Sequence, residues 1–203
     1  MILISATPPV EEPITIGDLL GLQIRLDSWP MPSVEDPLLN FYITTSRERV
    51  EDITRRKLLT QTWDYSLEQW PSINSIKIPF GNLQSVTLVK WKDTAGTETT
   101  LTATTDYLVE TNGDQCGKVV LPYSGSWPSG TLYPSKPITI RFVCGWTTAA
   151  LVPYQIKAAM LLICADLYSN REGSVFSTSG GQAYVANPAV NNLLASQRLW
   201  DEF

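Results

Sequence analysis

Ser46-Arg47-Glu48-Arg49-Val50-Glu51-Asp52-Ile53-Thr54-Arg55-Arg56-Lys57-Leu58-Leu59-Thr60-Gln61-Thr62-Trp63 decides the fold. Inside this stretch the apolar period changes from helical to alternating. Looking upstream, Leu39, Ile43, Ser46, Val50 and Ile53 recur at steps of three and four, so one stripe of a helix is buried. Arg47, Glu48, Arg49, Glu51 and Asp52 occupy most of its remaining surface, with Arg47 and Glu51 an i,i+4 pair of opposite sign. Asp36-Pro37 predicts the start of this helix, Asp as the cap and Pro in the first turn. Arg55, Arg56 and Lys57 fit the negative end of its dipole. Downstream, Gln61-Thr62-Trp63-Asp64-Tyr65-Ser66-Leu67 alternates like a half-buried strand.

Alternation then continues to about residue 145. Ser75 to Ile78, Ser85 to Trp91, Thr97 to Leu101, Tyr107 to Glu110, Lys118 to Leu121 and Ile138 to Val143 read as short strands. Asp93-Thr94-Ala95-Gly96 predicts a hairpin turn, and Pro79-Phe80-Gly81-Asn82 and Trp127-Pro128-Ser129-Gly130 punctuate the run. After it, Val152-Pro153 opens a helix with an apolar stripe of Ile156, Ala159, Met160, Ile163 and Leu167, thickened by Ala158 and Cys164. This should be the most buried helix. Thr15 and Asp18 resemble a capping box ahead of Ile16, Leu19, Leu20 and Ile24, and Trp29-Pro30-Met31-Pro32 breaks the chain. Glu172 to Asn187 is Gly- and Ser-rich and predicts a mobile loop. Asn187-Pro188 starts a last helix with Val190, Leu193, Leu194 and Gln197 on one side.

These elements predict an α+β fold: a helical bundle of about four helices with an inserted antiparallel β-module. Residues 1–14, with Pro8, Pro9 and Pro13, are expected to form an extended arm. The helical domain spans 15–60 and 150–203, and the β-module 61–149.

Composition narrows the function. The chain has 203 residues, 43% hydrophobic and 17% charged, which suffices for a core without staples. It carries no histidine, so the commonest general base and transition-metal ligand is missing. A net charge of −5 argues against gripping the outside of a DNA duplex. Cys116, Cys144 and Cys164 have neither zinc nor redox spacing, and Cys144 and Cys164 read as small core residues in a reducing compartment. The apolar run Ala158 to Ala165 is too short to span a bilayer, and no signal peptide is visible.

No motif carries catalysis. Without histidine a Ser-His-Asp triad is impossible, and no G-x-S-x-G is present. Gly113-Asp114-Gln115-Cys116-Gly117 lacks the Lys-Ser/Thr ending of a phosphate loop. Asp64, Asp93, Asp106 and Asp114 could pair as glycosidase carboxylates, but Asp93 and Asp114 sit in turns and Asp106 precedes a strand. Trp63, Trp91, Trp127 and Trp146 lie in or beside strands, where aromatics pack half-buried sheets; a sugar-stacking platform is the alternative. Trp70 and Trp200, among polar neighbours, suit subunit contacts.

Three stretches, taken in order, resemble the head–tail connector (adaptor) family of tailed bacteriophages, in its longer, β-containing branch. They are Ser46 to Trp63; Ile76-Lys77-Ile78-Pro79 to Ser85-Val86-Thr87-Leu88-Val89; and Arg141-Phe142-Val143-Cys144-Gly145-Trp146 with Val152-Pro153 and the helix to Asn170-Arg171-Glu172. The closing Leu193-Leu194 and Arg198 extend the likeness. It implies a structural virion protein assembled in the bacterial cytoplasm, with no enzymatic activity and no cofactor or metal. About twelve copies would form a ring under the portal protein, whose lumen passes DNA without sequence-specific binding and without a membrane. A downstream tail-completion or tail protein would dock on the other face. Arg47, Glu48, Arg49, Glu51, Arg55 and Arg56 become candidates for the subunit interface. Leu193, Leu194, Arg198, Leu199, Trp200 and Phe203 become the candidate portal-facing segment. A carbohydrate- or receptor-binding β-module is the alternative reading.

Overall fold

The computed structural model describes residues 2–24, 33–170 and 188–200. They divide into two compact units. Residues 2–10, 59–147 and 199–200 make a β unit; residues 11–24, 33–58, 148–170 and 188–198 make a helical unit. The α+β class expected from the sequence is the class observed.

The β unit has eight strands: β1 (Ile2–Thr7), β2 (Gln61–Leu67), β3 (Ser75–Gly81), β4 (Leu83–Lys92), β5 (Glu98–Leu101), β6 (Leu108–Glu110), β7 (Cys116–Val120) and β8 (Ile138–Cys144). Five form an antiparallel sheet in the order β1-β2-β8-β4-β5, and three form a second in the order β3-β7-β6. The period-two pattern is clearest on β8. Ile138, Ile140, Phe142 and Cys144 are buried, while Arg141 between them is exposed. Phe142 and Ile140 join Val89 of the same sheet and Ile78 and Val119 of the other in one cluster, so both sheets close over a shared core. Each such buried side chain contributes roughly 1.5–3 kcal/mol.

The first strand corrects the reading of residues 1–14 as an arm. Ile2–Thr7 is extended, but it pairs with β2 from Ile2↔Ser66 to Thr7↔Thr62. Ile-Leu-Ile-Ser-Ala-Thr is β-prone and free of proline, and the prolines begin only at Pro8. Pro13 and Ile14 are buried in the helical unit. A second correction falls at Pro79-Phe80-Gly81-Asn82. β3 runs on to Gly81, and its register against β7 shifts between Lys77 and Gly81. Phe80 (φ 67°) and Asn82 (φ 55°) absorb that bulge, and Phe80 stays in place because its ring packs edge-on against Trp63 at 5.2 Å. The hairpin turn at Asp93 forms as expected: its Oδ1 accepts from the Ala95 and Thr97 amides, with Gly96 at φ 82°.

Gly145 is required where β8 ends. Its φ is 101°, and a Cβ there would lie 2.2 Å from the Leu59 carbonyl oxygen. That close approach seats the Leu59–Trp146 bridge beside the start of β2.

In the helical unit, α1 (Ile16–Asp18) continues as a π-helical run, Leu19–Ile24, behind a complete Thr15–Asp18 capping box. Next come α2 (Asp36–Thr54), α3 (Tyr154–Ser169) and α4 (Pro188–Leu194), with short 3-10 turns at Ala149–Leu151 and Ala195–Gln197. Asp36 is the first helical residue of α2 rather than its cap. Its carboxylate reaches back to accept from the Ser33 amide at 2.9 Å, and Glu35 takes the cap position without a capping bond from its side chain, which accepts from the Tyr168 hydroxyl instead. The last basic residues also differ from expectation. α2 stops at Thr54 because Arg55 adopts a left-handed conformation (φ 59°), so Arg55, Arg56 and Lys57 lie beyond the final helical turn. Packing joins α2 to α3 and α3 to α4. α3 exposes only Tyr154, Gln155 and Ser169, as its nearly continuous apolar stripe requires. Trp29 to Pro32 and the Glu172–Asn187 segment lie outside the described residues.

Opposite β2 on β8, Arg141 faces Asp64 in register and holds both of its oxygens, at 2.7 and 2.8 Å. The guanidinium keeps the Asp64 carboxyl below its ordinary value of 3.8. The stabilisation is therefore complete above that value and disappears as pH falls through the lower, folded one. Because the pair is partly exposed, it is worth about 1 kcal/mol or less. We predict that Asp64→Asn loses this increment at neutral pH and flattens the acid limb of stability below pH 3.8, measured by urea unfolding at several pH values.

Candidate functional site

The charged segment of α2 sorts into two sets. Arg47 and Glu51 are buried, 7% and 3% exposed. Arg47 Nε donates to Glu12 at 2.9 Å, and its Nη1 lies 3.5 Å from Glu51. Glu51 also accepts from Lys57 Nζ at 2.9 Å and from the Leu58 amide at 3.0 Å. Thr44 adds its hydroxyl to Glu12. One buried carboxylate thus gathers two cations and an orphan amide just past the end of α2, the satisfaction that a desolvated charge demands. Arg56, 5% exposed, donates to the Gln197 carbonyl at 2.6 Å. These three residues of the expected interface set are therefore internal to the helical unit.

The other three, Glu48, Arg49 and Arg55, are exposed. Glu48 and Asp52 share a stripe with Phe41 at i, i+7 and i+11, and Phe41 is 64% exposed. With the exposed Arg49 next to Glu48, an aromatic flanked by charges of both signs has the composition of an association surface. The sequence reading passed over Phe41 because the stripe it follows is polar rather than apolar. It passed over Glu12 because nothing local links residue 12 to residue 47.

The C-terminal segment is divided in the same way. Leu194 is fully buried and Leu199 is 6% exposed, so neither offers a surface. Leu193 is half-buried. Arg198 is exposed but anchored, donating to the Ile53 carbonyl at 2.9 Å, while Ser196 and Gln197 bond Gln155. Trp200 is 75% exposed. Phe203 lies outside the described residues.

Three of the four carboxylates that could have paired catalytically are held in local bonds. Asp64 is clamped by Arg141, Asp93 closes its hairpin, and Asp106 accepts from the Thr102 amide at 2.7 Å. All three cysteines are buried. Burial pushes the Cys164 thiol up to about 11, the protonated and unreactive form at neutral pH. Trp63 packs on Phe80, and Trp70 stacks on Trp127 at 4.9 Å, so Trp70 is committed inside the β unit rather than to a subunit contact. No described helix is long and apolar enough to cross a membrane.

No family model and no curated protein matches the chain in sequence. Solved structures do match. A chain in the neck of an empty gene transfer agent particle, computed with six-fold symmetry, superposes with a TM-score of 0.78 at 18% identity. A chain from the virion of the native particle gives 0.75 at 19%, and one from its neck, computed with twelve-fold symmetry, 0.75 at 17%. Each match covers 100% of this chain and 98% of the other. At these identities the likeness establishes the fold, over the full length of both chains.

The buried set and the exposed set separate in a stability measurement. Glu51→Ala strands Lys57 and the Leu58 amide, and costs about 3 kcal/mol or more. Glu48→Ala and Arg49→Ala change stability by less than about 0.5 kcal/mol. Urea midpoints of the three variants check this.

Proposed function

We propose that this chain is a head–tail connector (adaptor) subunit of a tailed phage or phage-like particle, a structural virion protein rather than an enzyme. The observation that carries the reading is the end-to-end fold match to chains of a particle neck. The ordered motifs from Ser46 to Trp63, from Ile76 to Val89 and from Arg141 into α3 support it independently. In this reading about twelve copies form a ring beneath the portal, in keeping with the twelve-fold symmetry of one neck reconstruction. The ring passes DNA through an acidic lumen, which repels the phosphates rather than binding them. A tail-completion or tail protein docks on the far face, and the ring assembles in the bacterial cytoplasm.

A head-to-tail ring joins two different faces of the subunit. The exposed stripe of Phe41, Glu48, Arg49, Asp52 and Arg55 supplies one of them, with Phe41 as anchor and the charges fixing register. Arg55 strengthens this assignment. Its left-handed cap is a conformation glycine adopts at lower cost, yet the position carries a long cation. Trp200 is the portal-facing anchor, and Leu193 and Arg198 are further candidates on the closing segment. Leu194 and Leu199 are each buried and offer no surface to a partner.

Light scattering of the purified chain with portal rings tests this. Phe41→Glu and Arg49→Glu should keep the thermal unfolding midpoint and lose the ring-sized species. Arg55→Gly should gain up to about 1 kcal/mol of stability while weakening assembly. Trp200→Ala should abolish co-migration with the portal and leave the fold intact. Wild-type protein that stays monomeric with portal rings present would overturn the reading, as would hydrolase turnover abolished by one Asp substitution.

A further inference from the structure

The β unit carries a hollow that the assembly role does not use. It is an open depression of about 320 Å³ bordered by Trp127 and by the turn that follows β5. Trp127 is held on two sides. Its indole Nε1 donates to the Ile73 carbonyl at 3.0 Å, and one face stacks on Trp70, 5° from parallel. Trp127 is among the residues that line the hollow. Gly125 keeps the neighbouring wall tight: an added Cβ would sit 2.9 Å from Pro122 Cδ.

Polar residues share the lining with Trp127. Asp106 accepts from the Thr102 amide through Oδ2, and no described residue engages its Oδ1. Thr105, Ser126 and Ser129 also line the hollow, and their hydroxyls bond no described residue. No lysine or arginine lines it. A phosphate, a nucleic acid or an acidic peptide would meet an unscreened carboxylate and no compensating cation. A flat apolar platform beside a charged acceptor and three hydroxyls matches a neutral polyhydroxylated ring. The C–H face of such a ring covers the indole, and its hydroxyls donate to Asp106 in charge-assisted bonds. The platform is fixed before binding, so little ordering cost remains. Its volume lies at the small end of ligand sites, enough for one or two sugar rings.

We propose that this hollow binds a neutral saccharide, independently of ring assembly. The test titrates the full chain with maltohexaose, cellohexaose and the hexamer of N-acetylglucosamine, followed by tryptophan fluorescence and saturation-transfer NMR. A sulfated oligosaccharide and a proline decapeptide serve as competitors. At least one neutral probe should bind saturably in the millimolar range or tighter, with transfer to its C–H protons. Asp106→Asn keeps an oxygen for the Thr102 amide, so the turn survives, and should weaken binding by about tenfold or more. Trp127→Ala should abolish it. Three results would overturn the proposal: no saturable binding of any neutral probe, binding unchanged in Asp106→Asn, or a preference for the sulfated or proline probe. Portal-dependent assembly of Asp106→Asn should be unchanged, which separates this site from the connector role.

Discussion

Glu51 is a carboxylate taken out of water, and the helical unit is organised around keeping it partnered. It stands one turn before α2 ends, where the last carbonyls and the amides beyond lose their helical partners. By accepting from Lys57 and the Leu58 amide, it fixes how the chain leaves the helix. Arg47 relays that constraint one turn back and out to Glu12. Arg55 turns the backbone, and Arg56 and Arg198 tie carbonyls of the C-terminal and α2 segments to each other. A charge buried without these partners would cost several kcal/mol, so the network specifies one exit from α2. β2 begins three residues after Leu58, where alternation takes over from helical spacing.

This arrangement divides the charges of one helix between two tasks. Those pointing inward hold the subunit together and are unavailable to a neighbour. Those pointing outward, with Phe41, contribute little to folding because exposed ion pairs are worth little. They are therefore free to set register in an assembly. The same logic separates Leu194 and Leu199 from Trp200 in the closing segment. A mutation read only by its residue type would confuse the two sets. Burial tells them apart.

Most of the fold was legible in the sequence. Alternation along Ile138 to Val143 and around Val86 to Trp91 found strands, because a half-buried sheet imposes period two on side-chain polarity. Spacing along α2 and α3 found helices for the equivalent reason. What escaped has physical causes. β1 carries no strand signature, since an edge strand exposed on most of its positions shows no alternation. The bulge at Phe80 looked like a turn, since proline and glycine mark both. The roles of Arg47, Glu51 and Arg56 are not legible because a dense charge cluster looks the same whether it faces solvent or a buried partner. Glu12, the partner that decides the matter, lies 35 residues away. Trp127 is legible as a member of a possible sugar-stacking platform, but the hollow beside it is not, because its stack on Trp70 is a tertiary contact.

The central claim is that this subunit closes into a ring on a portal. Electron microscopy of the purified chain mixed with portal rings tests it most directly. The account predicts added density that shares the portal's symmetry axis, with one copy of this chain for each portal subunit and the α2 stripe at the contact between copies. Portal rings without added density, or copies bound singly away from the axis, would contradict it.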